Sequence, residues 1–208
     1  MPKPPRSKPP AHPIPVRVMH WIGVYAMGCM ILSGWEIYNA SPDLPFLFPR
    51  WACLGGWLGG ALAWHLSAMW LLFVDGLAYL TYGFVSGHFR RDLKPPHLAE
   101  IGKDIGAALQ LRLKHRMGHY NAVQRLLYAG VIVAIILQVL TGLAIWKPVQ
   151  FGWLAGLFGG YPIARLIHLA TMFAIVTFVA VHVALVAIHP RTLKSMILST
   201  PVETEDQP

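Results

Sequence analysis

Apolar residues in this chain do not alternate with polar ones. They gather into four long runs, at about 16–38, 57–84, 124–146 and 163–188, each broken by few charges. A bilayer core about 30 Å thick is crossed by roughly 20 helical residues at about 1.5 Å each, so every run is long enough to span it. A helix satisfies its own backbone groups, which lipid cannot do. The pattern therefore predicts an all-α integral membrane protein, a bundle of four transmembrane helices. Residues 1–15 form a basic, proline-rich tail, 16–189 the transmembrane region and 190–208 a second tail. The first apolar run is too long for a signal-peptide core and lacks a small-residue cleavage site at its end, so it is read as a retained span. In the connecting segment 87–123, Leu98, Ile101, Ile105 and Leu109 recur at helical spacing opposite Lys103, Asp104 and Gln110. That is the pattern of a short helix lying on the membrane surface. The stretch from Trp146 to Pro162 is rich in glycine and aromatics, as expected of a loop at the interface or beneath a partner. No internal repeat stands out.

Composition agrees with a membrane class: 55% of residues are apolar and 12% charged, and the mean hydropathy is +0.50; soluble domains carry about 25% charged residues. Charge sets the orientation. Lys3, Arg6, Lys8 and Arg17 precede or open the first span, eight basic residues lie between Arg90 and Arg125, and Arg191 and Lys194 follow the fourth span. Only Arg50, Lys147 and Arg165 lie on the other side. The positive-inside rule then puts both termini and the 87–123 segment in the cytoplasm. The net charge of +8 is mostly this topology signal, with some attraction for anionic lipid, and requires no nucleic acid. The two cysteines, Cys29 and Cys53, form neither CxxC nor CxxCH, so any haem is b-type and non-covalent.

Candidate chemistry lies in the histidines, because an ionisable side chain within a membrane helix is costly and points to function. Of the ten, His12, His88, His97, His115 and His119 fall in tails or loops, and His189 stands at the membrane boundary before Pro190. His20, His65, His168 and His182 lie inside spans. His168 and His182 share one helix fourteen residues apart, which places them on nearly the same face and about 21 Å apart along the axis. One metal cannot use both, but two haems at different depths can. With the orientation above, His65 and His168 lie toward the outer face and His20 and His182 toward the cytoplasm. The reading is two haems between the helices, with His65/His168 and His20/His182 as axial pairs. Each histidine taken alone is equally well explained as an interhelical hydrogen-bonding group.

Arg17 and Arg165 each precede a candidate ligand by three residues, one turn nearer the interface. Both suit pairing with haem propionates, or snorkelling to headgroups. Asp75, ten residues beyond His65 and near mid-membrane, is read as neutral or hydrogen-bonded, with Gln138 as a candidate partner.

Arg17-Val-Met-His20-Trp21, His65, the run from Gly118 to Gln124 and the spacing of His168 and His182 together resemble the prokaryotic di-haem cytochrome b561-type family. This family includes the cytochrome b subunits of formate dehydrogenases and nickel-iron hydrogenases. The resemblance covers nearly the whole chain. It implies two haem b groups held by the four histidines and a quinone site, ubiquinone or menaquinone, at Asn121, Gln124 and His182. It also implies a bacterial inner-membrane location and a periplasmic redox partner, of molybdopterin oxidoreductase or similar type. The chain would then be a wire between that partner and the quinone pool. A stand-alone superoxide:quinone oxidoreductase, the form taken by some compact relatives, is the alternative.

Overall fold

The computed structural model describes residues 13–87, 122–188 and 190–197, excepting the side chains of 122–129, 191 and 192. Within them the chain forms α1 (Ile14–Ala40), a short 3-10 helix (Arg50–Ala52), α2 (Leu58–Val85), α3 (Ala122–Trp146), α4 (Gly152–Leu157), α5 (Tyr161–Ile188) and α6 (Pro190–Ile197). The described residues contain no strand. The segment 97–114, Asn121 and His12, His88, His97, His115, His119 and His189 lie outside the described residues, as does the side chain of Gln124.

Among the described residues α1, α2 and α5 are long and apolar enough to cross a membrane, and α3 presents a shorter apolar stretch, Gly130–Trp146. Large apolar side chains such as Phe73, Val74 and Leu77 on α2, and Val183 and Leu185 on α5, are exposed along these helices. A water-soluble protein avoids apolar surface on that scale; in a bilayer the same surface is solvated by lipid tails. The protein is a membrane protein with an all-helical architecture.

The described chain divides into two compact units. The first holds α1, α2, and α5 from His182 onward with α6; the second holds α3, α4 and the rest of α5. In the first, proline at the start of α1 supplies a preset φ where no backbone donor is needed. Ala26, Cys29 and Ser33 then form a buried stripe one to two turns long, and α2 contributes Ala61 and Ala68. Small side chains let two helix backbones approach closely, the main source of helix association where lipid removes the hydrophobic drive.

The loop from α1 to α2 folds back on the end of α1. The Trp35 and Phe48 rings stack at 4.6 Å, and Asn39 donates to the Phe48 carbonyl and accepts from the Phe48 N–H, both at 2.9 Å. Gly55 and Gly56 take φ of +118° and +73° to turn the chain into α2, a conformation that costs other residues a Cβ clash. Cys29 and Cys53 are both free thiols. Burial, with the Glu36 carboxylate accepting from the thiol, pushes the Cys53 thiol above its usual pKa, so it stays protonated at neutral pH.

In the second unit the end of α3 packs with α4 and the start of α5 around Ala144, Leu154, Ala155 and Ala164. Lys147 places its ammonium 4.9 Å from the centre of the Trp146 ring, an interfacial arrangement typical of a helix end leaving the bilayer.

Candidate functional site

Each candidate ligand is held by its own local arrangement. On α1, the hydroxyl of Ser33, fully buried, donates to the Cys29 carbonyl one turn back. A hydroxyl has a single proton, so its oxygen meets His65 as an acceptor. Ser33 Oγ and His65 Nδ1 are 3.0 Å apart, hence Nδ1 carries the proton and Nε2 keeps its lone pair. The next residue is Gly34, and a Cβ built there would stand 3.4 Å from His65 Cε1. The imidazole therefore lies directly against the α1 backbone.

The second unit repeats this. Thr141, also fully buried, donates to the Leu137 carbonyl at 2.6 Å and lies 3.0 Å from His168 Nδ1. A Cβ on the following Gly142 would come 3.3 Å from His168 Cε1. A second contact sits on the other ring nitrogen. Gln138, whose Oε1 is paired with the Thr171 hydroxyl, directs its amide nitrogen at His168 Nε2 over 3.0 Å; Thr171 also reaches the Ile167 carbonyl at 2.9 Å. With the amide in this orientation its N–H donates and Nε2 accepts, in keeping with the same tautomer. Both amide ends of Gln138 are thus engaged within its own unit. Asp75 instead faces α1, its Oδ2 at 3.3 Å from a Cβ built on Gly23.

His20 on α1 and His182 near the end of α5 face one another, their ring centres 6.3 Å apart with 64° between planes. Two metal–nitrogen bonds of about 2 Å, plus about 1 Å from each nitrogen to its ring centre, give about 6 Å between the rings of two histidines on one ion. Two imidazoles that would hold one iron are not bound to a fixed angle between their planes, so 64° would fit. These residues suit a bis-histidine haem. The Trp35 indole, one residue beyond Gly34, adds a buried N–H without a partner among the described residues. Such a donor would suit an acceptor group on a bound molecule.

Arg17, read from sequence as a propionate partner, donates Nε–H to the Met196 carbonyl at 3.2 Å and Nη2–H to the Ile197 carbonyl; Trp21 Nε1–H also reaches Met196, at 3.2 Å. Both side chains therefore complete the carbonyl end of α6, where a cation also suits the helix dipole. Arg165 is half-buried on the first turns of α5. Asn121 and Gln124 fall where no side chain is described.

Sequence reasoning passed over Ser33 and Thr141, because a hydroxyl in an apolar helix reads as a minor interruption, and considered Gln138 only as a partner for Asp75. The available signal was a repeat. Leu32-Ser33-Gly34 matches Leu140-Thr141-Gly142, and His65-Leu66-Ser67-Ala68-Met69 matches His168-Leu169-Ala170-Thr171-Met172. The expectation of no internal repeat is corrected by this match: the motifs are short and sit on two helices each, and only their common contacts make them conspicuous.

A family model described as prokaryotic cytochrome b561 matches residues 11–199. A protein of Azospira oryzae, provisionally named protein-methionine-sulfoxide reductase subunit YedZ1, is 50% identical over 187 residues, covering 89% of this chain and 94% of its own length. Two proteins provisionally named Ni/Fe-hydrogenase B-type cytochrome subunits are more distant. The one from Bradyrhizobium diazoefficiens is 22% identical, covering 93% of this chain and 83% of its own; the one from Azotobacter chroococcum is 24% identical, covering 90% and 84%. With apolar helices built to cross a bilayer and a histidine pair spaced for haem iron, the chain belongs to the prokaryotic cytochrome b561 family of membrane-embedded, haem b-binding electron-transport subunits of oxidoreductases.

Proposed function

We propose that this protein is a four-span, di-haem membrane subunit that carries electrons between the quinone pool and a periplasmic oxidoreductase. The observation that carries the reading is the His20–His182 pair, whose 6.3 Å separation suits one iron between them. His65 and His168, each with Nδ1 beside a hydroxyl, are the second pair; at His168 the Gln138 amide on Nε2 would give way to iron. Haem iron bound by two histidines supplies one-electron transfer with no open coordination position for substrate. The chain's own residues orient the imidazoles, exclude water and neutralise charge. Arg165 balances propionates of the outer group and Arg17 those of the inner one. Asn121, Gln124 and His182 form the quinone site, on the cytoplasmic side with both termini, in the bacterial inner membrane.

The partner follows from the 50% identical relative, whose name is that of a protein-methionine-sulfoxide reductase subunit. We assign this chain the same place beside a catalytic subunit of molybdopterin type. Oxidation of quinol to quinone releases two electrons and two protons. Reduction of a methionine sulfoxide consumes two of each and yields methionine and water, so electrons run from quinol to the periplasm.

Haem content by pyridine haemochromogen and a quinol-reduced difference spectrum of the detergent-purified chain test this. Two b haems per chain with at least one quinol-reducible, and methionine sulfoxide-dependent reoxidation once the periplasmic partner is added, are expected. One haem or none overturns the four-histidine assignment. Reduction of the haems by superoxide, with electrons passed on to quinone and no partner present, overturns the subunit role.

A further inference from the structure

The two units share more than a histidine each. Ala26 precedes Ser33 by seven residues and Ala134 precedes Thr141 by seven, and both alanines are buried. Ala61 precedes His65 by four and Ala164 precedes His168 by four, and both are completely buried. With the Leu-Ser/Thr-Gly and His-Leu-x-x-Met matches, α1–α2 and α3–α5 carry one repeated pattern: alanine, hydroxyl and glycine on the first helix, alanine and histidine on the second. The hydrogen bonds repeat with it. In each pair the hydroxyl gives its proton to the carbonyl four residues back, accepts from the histidine Nδ1 at 3.0 Å, and is followed by a glycine at which an added Cβ would stand 3.3–3.4 Å from the imidazole.

We infer that Ser33 and Thr141 are equivalent positioning residues of an internal repeat, which fix His65 and His168 as Nδ1–H tautomers and set how strongly each Nε2 donates to iron. The inference rests on the proposed ligand role of these histidines. A hydroxyl that is free to rotate can donate or accept, and would leave the tautomer open. Here the competing carbonyl takes the hydroxyl proton, so only acceptance from Nδ1–H remains. An acceptor on that N–H pushes electron density into the ring and strengthens Nε2 as a ligand. A stronger donor favours ferric over ferrous iron. The two residues therefore lower the potential of the haem held by His65 and His168, and the glycines provide the space in which the rings are gripped.

The test uses the full-length, haem-loaded protein in detergent, with optical redox titration and low-temperature EPR of the haem that disappears in His65→Ala. Thr141→Val keeps the shape and removes the acceptor; Ser33→Ala does the same on α1. Each is expected to retain two haems, to raise that haem's midpoint by about three- to tenfold in the ferric–ferrous equilibrium, ~30–60 mV for one electron, and to shift its low-spin g-values. Thr141→Ser should restore the original potential. Loss of that haem in Thr141→Val but not in Thr141→Ser carries the same meaning. Unchanged potential and g-values at full loading, or equal loss of haem in both Thr141 variants, overturns the inference. The ligand assignment fails separately: His65→Ala and His168→Ala must each remove one and the same haem, and two haems retained in either variant would sink the assignment itself.

Discussion

The helix pairs α1–α2 and α3–α5 present the same grip on a histidine but treat its second nitrogen differently. On α3, three residues before Thr141, Gln138 donates to His168 Nε2 and is steadied by Thr171. The equivalent positions in α1–α2 are Met30 and Ala68, which have neither amide nor hydroxyl to offer. One lone pair is thus satisfied by the protein itself, and the other is not supplied with that amide. A buried acceptor left without a donor costs free energy. The difference teaches that the two halves of a repeated device can be stabilised by different means: His168 by the Gln138–Thr171 network, His65 by Ser33 and the Met30 backbone.

That contrast can be broken most sharply at the ligands. His182→Ala should halve the haem content and abolish reduction by quinol while the other haem remains, read by haemochromogen and difference spectra. Loss of both groups together would show that the sites are not independent. Next in size are the glycines. Gly142→Leu and Gly34→Leu push a side chain into space the imidazole fills at 3.3 and 3.4 Å from a Cβ, and each should lower haem occupancy about tenfold or more. A loss confined to one of the two would break the equivalence. Ala61→Leu and Ala164→Leu overpack two fully buried contacts and should each destabilise the protein by about 1–3 kcal/mol in thermal or denaturant unfolding. The smallest effect is the most diagnostic. Gln138→Leu should cost about 1 kcal/mol in the haem-depleted protein and much less in the loaded one, where iron replaces the amide. Equal cost in both states would show that Gln138 has a purely structural role.

Much of the site was legible because membrane chemistry makes polar residues conspicuous. His20, His65, His168 and His182 stand out within apolar runs whatever the fold, and the facing of His20 and His182 follows from one helix beginning and the other ending on the same side. The supporting residues were not legible. Ser33 and Thr141 look like the small polar residues any helix contact tolerates, and their meaning lies in which carbonyl takes the proton. Gln138 was read as a partner for Asp75 because both are polar groups at mid-membrane depth; the fold brings Gln138 to His168 and Thr171, and Asp75 to Gly23. Arg17 was placed one turn from His20 correctly by helical spacing, but spacing could not show that α6 returns to offer it two carbonyls.

The sequence alone determined the class of molecule, since long apolar runs have no stable form in water and only a helix satisfies its backbone in lipid. It determined the candidate ligands for a related reason, the high cost of placing an imidazole there without a purpose. Only the tertiary structure decided which hydroxyl meets Nδ1 of His65 and of His168 and which amide competes for the lone pair of His168. Those choices depend on distances of about 3 Å between helices far apart in sequence, and a hydrogen bond of that kind leaves no periodicity in the chain from which it could be read.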